Sequence, residues 1–212
     1  MLVPEKKIRG FSLLELLVVV AIVGMISGIA YPNFSTWKKD REARTFTEKV
    51  ANLFNSASTL SKRGSYPYVQ VYFKFSSGAF KVYAKGMTQD GMSQLLNSSS
   101  TALNCPMLNS GYWSNHFIKS IESDQVALSI NSNSAICFSK DSSYYKEMGA
   151  LSGENTMIIC HKSLAALTGK CPTTAATGLT VGGVAQQAYL IEWNRFSNIV
   201  KRRWSDSGWT IQ

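Results

Sequence analysis

An apolar run interrupted by a single carboxylate constrains this chain more than any other feature. From Phe11 to Tyr31, through Ser12-Leu13-Leu14-Glu15-Leu16-Leu17 and onward, Glu15 is the only side chain charged at neutral pH. At about 1.5 Å rise per residue, such a run is long enough as a helix to cross the roughly 30 Å hydrocarbon core of a bilayer. A carboxylate inside it costs about 2.5–3.5 kcal/mol on insertion, so its presence points to a function. The leader Met1–Gly10 sets Lys6, Lys7 and Arg9 against Glu5. That bias holds the leader on the cytoplasmic side and sends the remainder across. A conventional signal peptide is the competing reading, with the small residues of Gly28-Ile29-Ala30 before a cut at Tyr31. A carboxylate so early in the apolar core fits that class poorly.

Gly10-Phe11-Ser12-Leu13-Leu14-Glu15-Leu16-Leu17 after a short basic leader resembles the class III signal of type IV pilins and type II secretion pseudopilins. The resemblance implies that a membrane-embedded prepilin peptidase cuts between Gly10 and Phe11. Phe11 then becomes the N-methylated first residue, and Pro32 falls where many of these proteins carry a helix-kinking proline. It also implies an inner-membrane protein with a single span and a periplasmic head, later drawn into a filament of pilin or pseudopilin subunits. The physical logic agrees with it. Glu15 lies close enough to the new terminus for its carboxylate to meet the Phe11 amine of a neighbouring subunit. Such a pair relieves the buried charge only on assembly, which makes Glu15 a register device rather than a source of stability.

Beyond Pro32 the pattern turns amphipathic. Phe34, Trp37, Phe46, Val50, Leu53, Phe54, Ala57 and Leu60 recur at helical spacing, and Lys38, Lys39, Asp40, Arg41, Glu42, Arg44, Glu48 and Lys49 occupy the opposite face. One long helix is expected from Phe11 to about Lys62, bent at Pro32 and ended by Gly64 and Pro67. The rest reads as strands: Tyr68–Phe75 and Ala79–Lys85 as a hairpin, then Gln125–Ile130, Ser134–Phe138, Thr156–His161, Ala188–Trp193 and Asn198–Trp204. Gln89–Asn115 and Ser163–Gln187, rich in small and polar residues, read as surface loops. The expected fold is α+β, a long N-terminal helix packed on a β-rich globular head. Its segments are a leader at 1–10, a transmembrane and filament-core helix at 11–31, an amphipathic helix docking on the head at 32–62, and the head at 63–212. This order is similar to that of GspH/FimT-type minor pilins and pseudopilins.

All four cysteines, Cys105, Cys137, Cys160 and Cys171, fall in the exported part, and none forms a Cys-x-x-Cys pair. An even count in an oxidising compartment favours two disulfides. The short Cys160–Cys171 loop is the preferred bridge, leaving Cys105 with Cys137. No phosphate loop, zinc motif or nucleophile elbow is present, so neither an enzyme nor a cofactor or metal site is expected. The net charge of +9 bears on partners rather than on fold. Its one concentrated expression is C-terminal: Trp193-Asn194-Arg195, then Lys201-Arg202-Arg203-Trp204, then Trp209. Cations beside indoles suit a polyanion, and some FimT-like minor pilins bind DNA through C-terminal arginines. The glycine-arginine-x-arginine pattern of that group is absent here. A solvated final strand is the plainer reading, with Lys201 and Arg203 on one face and Arg202 and Trp204 on the other. The functional expectation is a minor pilin. The alternatives are a pseudopilin of a type II secretion system and a DNA-binding minor pilin for natural transformation.

Overall fold

The computed structural model describes residues 11–98, 113–114, 118–130, 134–140, 147–148, 155–165, 169–174, 178–181, 184–194, 198–205 and 208–212, the side chains of 29–33, 98, 147, 148 and 184 excepted. Helix α1, Leu13–Lys62, runs for 50 residues. Ser12 caps its start: Glu15 N–H donates to Ser12 Oγ at 3.2 Å, and Leu16 N–H donates to Ser12 O at 3.2 Å. Its end is a left-handed glycine cap. Gly64 sits at φ 76°, its N–H reaches Ser61 O at 3.0 Å, and Ser65 N–H reaches Leu60 O at 3.2 Å. These two bonds satisfy carbonyls that the helix terminus would otherwise leave open.

Two compact units divide the chain, Met1–Lys38 and Lys39–Gln212. In the second, the buried stripe of α1 is Ala43, Phe46, Thr47, Val50, Ala51, Leu53, Phe54 and Ala57. Phe34 and Trp37, which share the helical spacing of that stripe, are 60% and 51% exposed and pack on each other at 5.6 Å. Burial therefore starts at Ala43, later than periodicity alone indicates.

Strands β1 (Tyr68–Ser76) and β2 (Ala79–Gly86) form the expected hairpin. Its two turn residues, Ser77 at φ 54° and Gly78 at φ 78°, have the positive φ values that match the twist of paired strands. With β3 (Lys119–Ser123), β5 (Ser134–Ser139) and β6 (Glu147–Met148) they build one sheet, ordered β3-β2-β1-β5-β6. The second sheet is β12-β11-β10-β7-β4, from β4 (Val126–Leu128), β7 (Thr156–His161), β10 (Ala188–Trp193), β11 (Ile199–Ser205) and β12 (Gly208–Ile211). Every pairing is antiparallel. Alternating residues Val69, Val71 and Phe73 of the first sheet and Met157, Ile159, Ile191 and Trp193 of the second share one core with the α1 stripe. Phe54 is its hub, edge-on to Phe73, Phe138 and Trp193 at 6.0, 5.8 and 5.5 Å.

Two loop assignments need correction. Residues 89–98 form helix α2, Gln89–Ser98, rather than surface loop. Thr88 Oγ1 accepts from Gly91 N–H, and the helix sets Met92 and Leu95 into a small cluster with Tyr68, Met87, Trp113, Ala135 and Cys137. Ser, Asn and Gly disguise the segment because only one side of so short a helix needs apolar residues. In Ser163–Gln187, a 3-10 turn at Lys162–Ala165 overlaps the start, and the paired strands β8 (Thr180–Val181) and β9 (Val184–Ala185) add local order. Strands β3, β6 and β12 also lie outside the sequence expectation; β3 has no buried residue and so shows no apolar alternation. The head is thus β-rich with the short helix α2, and the fold is α+β as expected.

Candidate functional site

The Met1–Lys38 unit presents apolar side chains to the outside. From Phe11 to Ile26 its large hydrophobic residues are all exposed, including Phe11 at 78%, Leu13 at 81% and Met25 at 72%. A patch of that extent on a single chain marks a surface made to be covered. Glu15 is exposed on the first turn of α1, where a carboxylate also favours the positive end of the helix dipole. Gly10 lies outside the described residues, as does the Pro32 side chain. Among the described residues no helix is long and apolar enough to cross a membrane; the side chains that close the apolar run, 29–33, are not among them.

In the other unit, α1 contributes three carboxylates that the helical pattern assigned to the solvated side. They flank the buried stripe and meet strand residues of the second sheet. Glu48 Oε2 accepts from Lys201 Nζ at 2.6 Å. Asp40 Oδ1 accepts from Tyr189 Oη at 2.5 Å and faces the Arg203 guanidinium at 3.6 Å. Burial first, and then the Asp40 carboxylate, raise the Tyr189 pKa far above the usual phenol range. Glu42 Oε2 meets His161 Nε2 at 3.3 Å. Ser163 N–H donates to His161 Nδ1 at 3.1 Å, which leaves the neutral ring's proton on Nε2, facing Glu42.

This arrangement decides what the C-terminal cations do. Lys201 and Arg203 share one face, as alternation predicts, and both are engaged by α1 carboxylates. Arg203 also donates to Gln187 Oε1 at 2.6 Å. Arg202, on the other face, donates through Nε to Glu192 Oε2 at 3.1 Å. The indoles are structural: Trp193 is 1% exposed, and Trp204 packs edge-on to Trp209 at 5.1 Å with its N–H donated to Thr180 Oγ1. The structure therefore does not gather Lys201, Arg202, Arg203 and Trp204 into one patch, and Arg195 lies outside the described residues. Glu192 is a near neighbour of Arg202, but the acids that engage Lys201 and Arg203 lie on α1, far earlier in the chain, where no local signal connects them.

Cys160 bonds Cys171, the expected pairing, with the two Cα atoms 5.8 Å apart. Cys137 is also disulfide-bonded; Cys105 lies outside the described residues. Adjacent residues on β7 diverge as a strand requires, Cys160 toward the loop and His161 toward α1. Among the described residues no group of three or more His, Cys, Asp or Glu could hold a metal ion.

The family described as the prokaryotic N-terminal methylation motif matches residues 6–31. The chain thus carries the class III signal of type IV pilin and pseudopilin precursors, the signal that prepilin peptidase processes ahead of assembly with other pilin-type subunits. No curated protein and no solved structure matches the chain.

Proposed function

We propose that this protein is a type IV minor pilin, a filament subunit rather than a catalyst. One observation carries the reading: the segment matched to the methylation motif is also the one whose apolar side chains stand uncovered on the chain. In the precursor, that segment spans the inner membrane to Tyr31, with Lys6, Lys7 and Arg9 on the cytoplasmic side and the head in the periplasm. Cleavage after Gly10 frees the Phe11 amine for N-methylation. In the filament the same apolar surface packs on its neighbours, and Glu15 pairs with the Phe11 amine of an adjacent subunit to set the stagger. Pro32 lies in the helix where the apolar run gives way to the charged stretch, a place for a bend between filament core and head.

The test is direct. Filaments sheared from cells are expected to contain this chain beginning at an N-methylated Phe11, read by intact-mass and N-terminal peptide analysis. A mature terminus at Tyr31 would refute the pilin reading. Correct processing with the chain confined to the cell envelope would instead assign it to the pseudopilins of a type II secretion system. The DNA-binding alternative draws little support from the C-terminal strand, because each of Lys201, Arg202 and Arg203 already faces a carboxylate. Cations so engaged offer less to phosphate.

A further inference from the structure

The second sheet has an outer face that assembly through α1 leaves unused. Thr156, Leu190, Glu192, Arg202 and Trp209 come from four of its strands, and the register sets all five on that face. Glu192 lies opposite Thr156, Leu190 opposite Arg202, and Trp209 opposite Trp204, two residues on from Arg202. Together with Asn155 and Asn194 they line an open cavity of about 550 Å³.

The chemistry of this cavity is selective. Arg202 and Glu192 are bonded to each other at 3.1 Å, so the pair carries no net charge into the site. An anion would have to compete with Glu192 for the guanidinium. An apolar ligand would strip water from both ions and return no hydrogen bonds. After their mutual bond the guanidinium keeps further N–H donors and the carboxylate keeps acceptor lone pairs. Beside them Trp209 supplies an aromatic surface, held edge-on by Trp204, whose own N–H is committed to Thr180. Asn194 is held too, its Oδ1 accepting from Asn198 N–H at 3.0 Å. Amides, a hydroxyl and a balanced ion pair next to an indole are complementary to one class of ligand: a neutral ring with one apolar face and several hydroxyls.

We propose that this cavity is a saccharide-binding site. A hexose ring lays its C–H face against Trp209, and neighbouring hydroxyls bridge Glu192 and Arg202, with Asn155, Asn194 and Thr156 reading the rest. The site belongs to the head and does not depend on how the filament is built.

The test uses the full chain in lauryldimethylamine oxide micelles, a detergent without a sugar headgroup. Chitotriose and maltotriose are titrated against it by tryptophan fluorescence and saturation-transfer NMR, the two sugars separating an N-acetylated wall-type glycan from a plain glucan. Saturable millimolar binding of either is expected, weakened about tenfold or more in Trp209→Ala. Because that change also removes the ring packed on Trp204, Glu192→Gln serves as a second variant that keeps the shape, with thermal unfolding reporting the fold of both. Absence of saturable binding with both sugars overturns the proposal. So does undiminished binding by the two folded variants, or tryptophan quenching by a short oligothymidylate where neither sugar has an effect.

Discussion

At the scale of single residues, the capping contact seen at Glu15 and the assembly role proposed for it can be separated. Ser12-Leu13-Leu14-Glu15 has the Ser-x-x-Glu spacing of a helix-capping box, and the Glu15 N–H bond to Ser12 Oγ is present. A local capping role survives replacement by glutamine, whereas pairing with a neighbour's amine needs the charge. Glu15→Gln is therefore expected to be processed normally yet to enter filaments poorly, like Glu15→Ala. Wild-type incorporation of Glu15→Gln, measured on sheared filaments by immunoblot, would reduce Glu15 to a helix cap. His161 offers a second test. Burial lowers its pKa, the Glu42 carboxylate opposes that, and Lys39 and Lys162 reinforce it. A folded pKa below the unfolded value means that the unfolded chain binds the proton more tightly. The contribution is thus whole above about pH 6.5 and is lost as the pH falls through that value toward the lower folded pKa. Thermal melts should show stability falling from pH 7 to pH 5, and His161→Gln should flatten that slope. An unchanged slope would remove His161 from the account.

At the scale of elements, the Cys160–Cys171 bond acts as a tether. It joins the interior strand β7 to a segment that also donates Cys171 N–H to Leu128 O and buries Leu179 against the sheet. A closure of sequence separation 11 limits the unfolded chain enough to contribute about 3 kcal/mol in the chain-entropy account. Cys160→Ala/Cys171→Ala is expected to lower the denaturant midpoint accordingly while leaving the β7–β10 pairing intact by circular dichroism. A midpoint equal to wild type would mean that burial of Leu179 alone holds the segment. Helix α2 teaches a related lesson. Its few buried side chains, Leu95 foremost, become recognisable as a face only once β1 and Trp113 supply something to pack on.

At the scale of the whole molecule, net charge and local charge part company. The formal charge of +9 invites a polyanion, but the three strand cations that invite it most are each matched by an acid. Double-stranded DNA titrated into the full chain at low salt is expected to bind weakly, and Arg202→Ala/Arg203→Ala is expected to change that little. Salt-sensitive binding that collapses in the double variant would restore the DNA-uptake reading. Exposed ion pairs of this kind contribute at most about 1 kcal/mol each, so their effect lies in orienting α1 on the sheet and occupying its cations rather than in stability.

What the sequence determined by itself is whatever depends on near neighbours. The apolar run with its lone carboxylate, the basic residues ahead of it, the long helix, the Ser77-Gly78 hairpin and the strands at Thr156–His161 and Ala188–Trp193 are all written in stretches of a few residues. There, period, charge and turn chemistry act locally. Three-dimensional structure decided the rest, because it depends on residues far apart in the chain. Asp40, Glu42 and Glu48 looked solvated until the sheet brought Tyr189, His161, Lys201 and Arg203 to them. Phe34 and Trp37 had the spacing of a buried face, yet only packing could say that burial begins at Ala43. The cavity on the outer face exists only because strand register aligns Thr156, Glu192, Arg202 and Trp209. Periodicity shows that a side chain has a face; only folding supplies what that face meets.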